Sequence, residues 1–111
     1  MPVVTVLAPP HPQALALLRS IADAVADAIG GGRGDVIAQS ATCTASVASG
    51  ADVVDPWIVV TIQGSARPHE RMDRARSAAE AVVRDWARRT GTSLGGVWTQ
   101  WQCPESAVPT T

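Results

Sequence analysis

The sequence predicts one α/β (α+β) domain in which duplicated β-α-β units form a four-stranded mixed sheet with two helices on one face. Its 111 residues match the size of a single domain, and a hydrophobic fraction of 46% is enough to build a core. The order strand, helix, strand occurs twice, and Val60-Thr61-Ile62 repeats the earlier Val4-Thr5-Val6. We therefore expect residues 1–111 to form one domain, with repeat units at about 2–47 and 57–102 and a tail at 103–111.

The first unit begins with the run Val-Val-Thr-Val-Leu, which predicts a buried strand closed by two prolines. Apolar residues then recur at steps of three and four from His11 or Pro12 to Ile29, which predicts an amphipathic helix. The residues expected on its inner face are Leu15, Leu18, Ile21, Ala22, Val25 and Ile29. Three glycines that start at Gly30 predict the end of this helix, and residues 35–47 predict a second strand.

The second unit repeats this order. Residues 57–62 predict a strand, Pro68 to about Arg89 a helix that ends at Gly91, and residues 94–102 a last strand. The residues expected on the inner face of this helix are Met72, Ala75, Ala79, Val82, Val83 and Trp86. Each unit pairs its strands in parallel through a right-handed crossover, so both helices are expected on one face of the sheet. Because the other face also needs a cover, we expect a homo-oligomer whose edge strands pair between subunits.

Composition and charge argue against several classes of protein. Nine arginines against ten acidic residues give a net charge of −1, so nucleic acid is not an expected partner. No uncharged run is apolar enough to span a membrane, and early prolines interrupt the stretch that a secretory signal needs, so we expect a cytoplasmic protein. Cys43 and Cys103 match neither a zinc site nor a disulfide framework, and the glycine run follows a helix rather than a strand. We expect reduced thiols, no metal and no cofactor.

Pro2 is the first candidate for chemistry because it directly follows Met1. Removal of Met1 would expose a secondary amine at the start of a buried strand. A free α-amine has a pKa near ~7.7 to 8.0, and burial and nearby guanidinium groups would lower that pKa toward neutrality. Such an amine both accepts and donates a proton at physiological pH. The other interpretation is that this proline only begins a strand.

The apolar run after Pro2, the glycine-terminated amphipathic helix, the second strand and the repetition of this unit resemble the tautomerase superfamily. The chain length is similar to that of its cis-3-chloroacrylic acid dehalogenase, malonate semialdehyde decarboxylase and macrophage migration inhibitory factor branches. The resemblance implies a homotrimer in which the amino-terminal proline is the general base or acid. It also implies a small 2-oxo or unsaturated carboxylic acid as substrate, and hence an isomerase of the tautomerase type.

Arg67 and Arg71 are the candidates for holding the substrate carboxylate. Seven of the nine arginines lie at 67–89, and acid-before-base pairs four residues apart place most of them on a solvated helix surface. Arg67 and Arg71 instead lie in the loop and first turn after a strand, where unpaired backbone N–H groups favour an anion. If the two units pack antiparallel, Pro2 and Arg67 converge.

The dehalogenase branch of the superfamily carries two substrate-binding arginines in this loop, three residues apart, which Arg67 and Arg71 resemble at a separation of four. Asp35 falls at the position of that branch's histidine, and Gln100 near the position of its water-activating tyrosine. Gln100 is therefore a third expected substrate contact. Hydration of a haloacrylate lacks a clear base here, whereas keto-enol tautomerisation needs only one amine, one cationic clamp and an apolar pocket.

Two alternatives to a tautomerase remain at the level of sequence. The same order of elements describes the ferredoxin-like fold, so the chain fits a noncatalytic ligand-binding or assembly module as well. A dehalogenase or hydratase of the tautomerase superfamily is the second alternative. An enzyme of this type must lose Met1, whereas a binding module is indifferent to that loss, so an intact mass distinguishes the two classes.

Overall fold

A computed structural model of the chain describes residues 2–51 and 54–104. Its elements in chain order are β1 (Val3–Ala8), α1 (Ala14–Ile29), β2 (Ile37–Thr42), β3 (Trp57–Gln63), α2 (His69–Thr90) and β4 (Gly96–Gln102). The sheet order is β2-β1-β3-β4, with parallel outer pairs and an antiparallel β1/β3 pair in the centre. The predicted fold class is therefore confirmed. Met1 and most of the predicted tail lie outside the described residues.

Alternation along the two central strands decides which of their side chains are buried. Val4 and Val6 of β1, and Ile58, Val60 and Ile62 of β3, face the helices and are at most 1% exposed. The helical residues that pack into the same core are Leu17, Ile21, Val25, Ala28 and Ile29 of α1 and Ala75, Ala79, Val83, Trp86 and Ala87 of α2. Each fully buried Val or Ile stabilises the fold by about 1.5–3 kcal/mol relative to an exposed position. One apolar layer between sheet and helices therefore holds the domain together.

Both helices end where the sequence predicts, at a glycine in the left-handed conformation. Gly30 has a φ of 71° after α1, and Gly91 has a φ of 69° after α2. The next residue closes each cap, because the Gly31 N–H donates to the Ala26 carbonyl and the Thr92 N–H to that of Ala87, both at 2.8 Å.

The inner face of α1 differs from the prediction. Leu15 was expected to face the core, but it is 62% exposed, and Leu17 is buried in its place with 2% exposed. Leu17 lies four residues before the buried Ile21 and shares its side of the helix, whereas Leu15 lies six residues before it and points away. The helix also begins later than His11 or Pro12. A turn precedes it, in which the His11 carbonyl accepts the Ala14 N–H at 3.2 Å.

Strand β2 is shorter than the predicted span of residues 35–47. It pairs with the six residues of β1 and no further, from Val3 opposite Ile37 to Ala8 opposite Thr42. The Cys43 N–H still donates to the Ala8 carbonyl at 2.9 Å. The two prolines that follow β1 lack backbone N–H groups, so they cannot extend the ladder.

No helix or further strand within residues 2–51 and 54–104 covers the sheet face away from the helices, and we call it the open face. Its residues are Val3, Thr5, Leu7, Ile37, Gln39, Ala41, Trp57, Val59, Thr61, Gln63, Gly96, Trp98, Gln100 and Gln102. None of the four strands contains a charged residue. Trp57 is 49% exposed and Trp98 58% exposed. Across the middle of the face, the Gln100 amide donates to the Thr61 hydroxyl at 3.1 Å.

Candidate active site

The ladder between the two central strands places Pro2 at a corner of the sheet. Val3 of β1 pairs with Gln63 at the end of β3, and Gly64 follows directly. On the other side, the Pro2 carbonyl accepts the N–H of Ile37 at 3.2 Å. The Pro2 side chain is less than 2% exposed. The proline ring is therefore fixed between β2 and β3, on the same side of the sheet as the helices.

A cavity of about 300 Å³ adjoins the proline ring. Its lining residues are Pro2, Ile29, Gly30, Gly31, Asp35 and Arg67. They come from four places in the chain: the start of β1, the end of α1, the loop before β2 and the loop after β3. The structure thus brings Pro2 and Arg67 together, as the antiparallel packing of the two units predicts.

Two larger depressions have volumes of about 430 and 410 Å³, and the first of them adjoins the cavity beside Pro2 at Gly31. The first lies between the outer side of α1 and the glycine loop, and the second beside β4. Neither is lined by Pro2 or Arg67. Size alone does not identify a site, and the smaller cavity is the one that combines an apolar wall, a cation and a potential amine.

Arg67 differs from an ordinary surface arginine. It is half-buried, and its Nε has no hydrogen-bond partner within the described part of the chain. The guanidinium carbon lies 6.0 Å from the centre of the Trp101 ring. Arginine stays charged and its guanidinium carries five N–H donors; because the buried Nε is closed to a water-sized group, a ligand would meet this guanidinium through its terminal nitrogens. A carboxylate fits this guanidinium because it accepts two parallel hydrogen bonds.

Asp35, which the resemblance places at the position of the dehalogenase branch's histidine, was not among the predicted substrate contacts. It lines the cavity from the loop before β2, and its Oδ2 accepts the Gly32 N–H at 2.6 Å. Its own N–H donates to the Gly32 carbonyl at 3.1 Å. The available signal was its place two residues before Ile37, because parallel pairing of this strand with β1 carries the preceding loop toward Pro2.

The structure does not bring the other two predicted contacts to this cavity. Arg71 is exposed on the first turn of α2 and is not among the lining residues. Gln100 points to the open face and lines the depression beside β4. Both stay predictions, and either residue could reach a substrate only from another copy of the chain or after a rearrangement.

The remaining arginines of α2 lie on a solvated surface, as predicted. The ion pairs there join Asp73 to Arg76, Glu80 to Arg84, and Asp85 to both Arg88 and Arg89. Hydrogen bonding from Arg89 is the main reason that the pKa of Asp85 lies below its ordinary value, and Arg88 adds to the effect. Arg76, Arg84, Arg88 and Arg89 already have anionic partners, which separates them from Arg67.

Three other features are absent from residues 2–51 and 54–104. Neither helix there is long and apolar enough to cross a membrane. The same residues contain no group of three or more His, Cys, Asp or Glu side chains placed to hold a metal ion. Cys43 and Cys103 form no disulfide.

The fold and the cavity together define a class of protein: a duplicated β-α-β domain with a buried proline at the first strand and an arginine facing the same cavity. Neither protein-family models nor curated protein sequences give a match to the chain. Solved structures, in contrast, do match the chain. A wild-type fused 4-OT, described as a symmetric trimer, is 23% identical with a TM-score of 0.72, over 91% of this chain and 84% of that chain.

Two further solved structures agree with this result. Macrophage migration inhibitory factor from Toxoplasma gondii is 18% identical with a TM-score of 0.69, over 96% of this chain and 95% of that chain. A 5-carboxymethyl-2-hydroxymuconate isomerase from Deinococcus radiodurans R1 is 16% identical with a TM-score of 0.69, over 99% of this chain and 88% of that chain. The chain therefore has the tautomerase superfamily fold, and the resemblance stated from the sequence is confirmed at the level of fold.

Proposed function

We propose that this chain is an isomerase of the tautomerase type that acts on a small 2-oxo or unsaturated carboxylic acid. The catalytic group is the secondary amine of Pro2, exposed when Met1 is removed, and Arg67 binds the substrate carboxylate. One observation carries the proposal: Pro2 and a guanidinium with a buried, unpartnered Nε line a single cavity of about 300 Å³. A volume of that size suits a small acid.

The surroundings of Pro2 suit an amine that titrates near neutral pH. The ring is fully buried, and Ile29 and the Arg67 guanidinium line the same cavity. Burial and the nearby positive charge disfavour the ammonium form and so lower the pKa of the amine, whereas the Asp35 carboxylate in the same lining acts in the opposite direction. The neutral amine then accepts a proton from the carbon beside a carbonyl group.

The reaction needs no group beyond these two residues and the substrate. The Pro2 amine removes a proton from carbon, and the electron pair of the broken C–H bond forms the enolate. Arg67 holds the carboxylate and stabilises the negative charge that develops next to it. The protonated amine returns the proton to another carbon or to oxygen, so substrate and product are isomers.

The described activities of the similar solved structures support this proposal. One neighbour is described as a 5-carboxymethyl-2-hydroxymuconate isomerase, an enzyme whose named substrate is an unsaturated acid. At identities of 23% or less, such neighbours support the fold alone. The reaction of this chain rests on its own Pro2 and Arg67.

The proposal includes a homo-oligomer, and specifically a trimer. The open face exposes Trp57 and Trp98 and carries no charged side chain, so covering it costs little desolvation of charge. The outer strands β2 and β4 have no further strand beside them within the described residues. The fused 4-OT neighbour is described as a trimer.

The decisive experiment uses protein that begins at Pro2, and intact mass spectrometry verifies that Met1 has been removed. Loss of the enol form of phenylpyruvate or 2-hydroxymuconate is followed for the wild type and for Pro2→Ala, Arg67→Ala and Arg84→Ala variants. We expect Pro2→Ala to lower kcat by about 10²-fold or more. Arg67→Ala should lower kcat/KM by about 10- to 100-fold because one charge-assisted contact is lost.

Arg84→Ala is the matched control, because it removes the same charge from an exposed ion pair with Glu80 and should leave the rate unchanged. Equal rates in all four proteins would refute the proposal that this chain is a tautomerase. Binding of these acids that persists in Pro2→Ala without turnover in any protein would instead support the noncatalytic module.

A further inference from the structure

The ring of Trp101 lies beside the cavity arginine, and the proposed reaction assigns it no role. Trp101 belongs to β4 and pairs with Ile62 near the end of β3, and its side chain packs against the core between sheet and helices. The guanidinium carbon of Arg67 lies over this ring, 6.0 Å from its centre. At such a distance, within about 6 Å, the negative face of an aromatic ring attracts a cation.

Arg67 has no other partner that would hold its guanidinium in place. No hydrogen bond or ion pair of Arg67 is found among the residues that the structure describes. Asp35 is the acidic residue of the same cavity lining, but its Oδ2 accepts the Gly32 N–H at 2.6 Å. Because only Nε among the three side-chain nitrogens of Arg67 is buried without a partner, the two terminal nitrogens are accessible. The contact that remains is the one with the Trp101 ring.

An aromatic ring holds a guanidinium differently from a carboxylate. A carboxylate compensates the positive charge and occupies N–H groups, as Asp85 does for Arg89 at 2.8 Å. A ring face attracts the charge but does not accept the N–H groups that lie in the guanidinium plane. The charge of Arg67 and its terminal N–H groups are therefore left for an anion in the cavity.

Packing alone does not account for an indole at position 101. The Trp101 Nε1 is buried, and no acceptor for its N–H is found in the part of the chain that the structure describes. An unpaired buried donor destabilises the fold, and a phenylalanine or a leucine would fill apolar space without one. What the indole supplies in addition is the aromatic face with the strongest attraction for a cation.

The backbone keeps the ring and the guanidinium together. The Gly64 N–H donates to the Gln102 carbonyl at 3.0 Å, so the loop that carries Arg67 leaves the sheet beside Trp101. A Cβ at Gly64 would stand 3.3 Å from Cζ2 of Trp101, so the glycine lets the ring lie close against the start of this loop. The position of the ring relative to the loop is therefore set by β3 and β4.

We infer that Trp101 is a positioning residue that holds the Arg67 guanidinium through its ring face and leaves the charge and the terminal N–H groups of Arg67 free for the cavity. Trp101 acts through Arg67 and is not among the residues that line the cavity beside Pro2. The use of this arrangement for a substrate carboxylate rests on the proposed function, whereas the contact between ring and guanidinium does not.

The first test observes the contact itself, by NMR of protein that begins at Pro2 and carries ¹³C,¹⁵N-labelled arginine. The side-chain signals of Arg67 are assigned by their loss in Arg67→Ala. Protons held over an aromatic ring resonate upfield, so we expect the Nε–H and Cδ–H signals of Arg67 to lie upfield in the wild type and to return to ordinary positions in Trp101→Leu. Trp101→Phe keeps a smaller ring and should give signals between the two.

Val97→Ala is the matched control for a loss of packing. Val97 is buried on the same face of β4 as Trp101, near the other end of the strand, and does not line the cavity. This variant should lower the unfolding temperature but leave the Arg67 signals where they are in the wild type.

The second test is a double-mutant cycle on kcat/KM for the enol acids, with Trp101→Leu, Arg67→Ala and the double variant. Trp101→Leu loosens the guanidinium in the bound substrate and in the transition state alike, so it should raise KM by about three- to tenfold and leave kcat nearly unchanged. In the Arg67→Ala background the same substitution should add nothing, because the ring no longer has a cation to hold. Val97→Ala should leave KM unchanged.

The outcomes separate this inference from the proposed function. Unchanged Arg67 signals in Trp101→Leu overturn the inference, even if Pro2→Ala and Arg67→Ala abolish turnover and the proposed function stands. Signals that move in Trp101→Leu but not in Val97→Ala support the inference, even if no protein turns over an enol acid and the proposed function fails. Additive losses of kcat/KM in the cycle show a purely structural role for Trp101 and overturn the inference. If Trp101→Leu did not fold, Trp101→Phe decides by the same measurements, because a smaller upfield displacement and a higher KM are still expected.

Discussion

At the scale of single residues, the candidate site depends on a close approach of the backbone at Gly64. A Cβ built on Gly64 would lie 3.3 Å from Cζ2 of Trp101 and 3.5 Å from both Cα and Cβ of Pro2. The contact with Trp101 is tighter than an ordinary van der Waals contact, whereas the contacts with Pro2 are not, so a side chain at this position would press on the tryptophan. The same tryptophan lies beside the Arg67 guanidinium, so Gly64 indirectly fixes the cation as well.

We therefore predict that Gly64→Ala lowers kcat/KM several-fold while the fold is retained. The added methyl group must displace the edge of the Trp101 ring, which lies beside the Arg67 guanidinium, by a few tenths of an ångström. Overpacking of this kind costs about 1–3 kcal/mol of unfolding free energy, and the low end applies to a single contact. Enzyme kinetics and urea unfolding of the same sample measure the two effects.

Ser65→Ala is the control for this prediction, because it changes the next residue of the loop at an exposed position. Its rate and stability should match those of the wild type. A Gly64→Ala protein with unchanged kcat/KM would show that the positions of Pro2 and Trp101 are not limiting for catalysis.

At the scale of the elements, the sequence predicts the helices and strands well because their signals are local. Periodicity identifies the strands and helices, and the left-handed glycines at 30 and 91 end the helices. The inner face of α1 was predicted less well. Leu15 and Leu17 lie on different sides of the helix but have the same hydrophobicity. Only packing against the sheet decides which of the two is buried.

The candidate site is less predictable than the elements. Pro2 and Arg67 could be paired from the sequence because the duplication implies an antiparallel centre. Asp35 could not be assigned, since its place depends on where β2 begins and on how the glycine loop folds back to bind its carboxylate. Arg71 was predicted from its place in the first turn of a helix and from the family resemblance, and Gln100 from the resemblance alone; neither basis gives the direction in which a side chain points.

The glycine that ends α2 gives a prediction for stability. Gly91 has a φ of 69°, and a Cβ there would meet no atom within 4 Å, so Gly91→Ala introduces backbone strain without a steric clash. We predict a loss of about 1 kcal/mol in unfolding free energy, measured by urea unfolding. Catalysis should be unaffected, because Gly91 does not line the cavity.

Gly30→Ala is the matched comparison, since its φ of 71° and open surroundings are the same. The Gly30→Ala substitution should cost a similar amount of stability. Because Gly30 lines the cavity, the substitution should also lower kcat/KM. Equal stability of Gly91→Ala and the wild type would show that the left-handed cap contributes nothing.

The ion pairs near the end of α2 give a prediction about pH. Hydrogen bonds from Arg89 and Arg88 lower the pKa of Asp85 in the folded chain. Because the folded pKa is below the unfolded one, these pairs stabilise the fold above the ordinary pKa of aspartate. The stabilisation is lost as the pH falls toward the lowered value. We predict that Asp85→Asn lowers the unfolding temperature slightly at neutral pH and that this difference disappears in acid.

High salt should reduce the same difference at neutral pH, because the pair is exposed to solvent and screened. Thermal unfolding at two pH values and two salt concentrations measures both effects. If the difference in unfolding temperature between Asp85→Asn and the wild type grew in acid, the stabilising role of the Asp85 ion pairs would be contradicted.

At the scale of the whole molecule, the duplication makes two similar corners but only one candidate site. The repeat spacing that relates Thr5 to Thr61 also relates His11 to Arg67. The His11 ring packs edge-on against Trp86 at 4.6 Å, and its Nε2 lies 3.4 Å from the Thr92 hydroxyl. At that corner the imidazole is fully engaged, whereas Arg67 retains an unpartnered Nε. The asymmetry therefore comes from side chains, since the backbone is nearly repeated.

The open face determines the last prediction, which concerns assembly. The face carries no charge, and Trp98 is its most exposed large apolar side chain, at 58%. A carboxylate placed there would be desolvated without a partner if another copy covered the face. We therefore predict that Trp98→Asp converts the oligomer to monomer at micromolar concentration, measured by light scattering coupled to size-exclusion chromatography, while circular dichroism stays unchanged.

Leu15→Asp is the control that separates this effect from a general loss of surface hydrophobicity. Leu15 is exposed to a similar extent, 62%, but lies on α1, on the opposite side of the sheet. A charge there should leave the oligomer intact. If Trp98→Asp and Leu15→Asp had the same mass as the wild type, the open face would not be the contact between copies. If only Trp98→Asp dissociated and its kcat/KM also fell, the cavity beside Pro2 would depend on a neighbouring subunit.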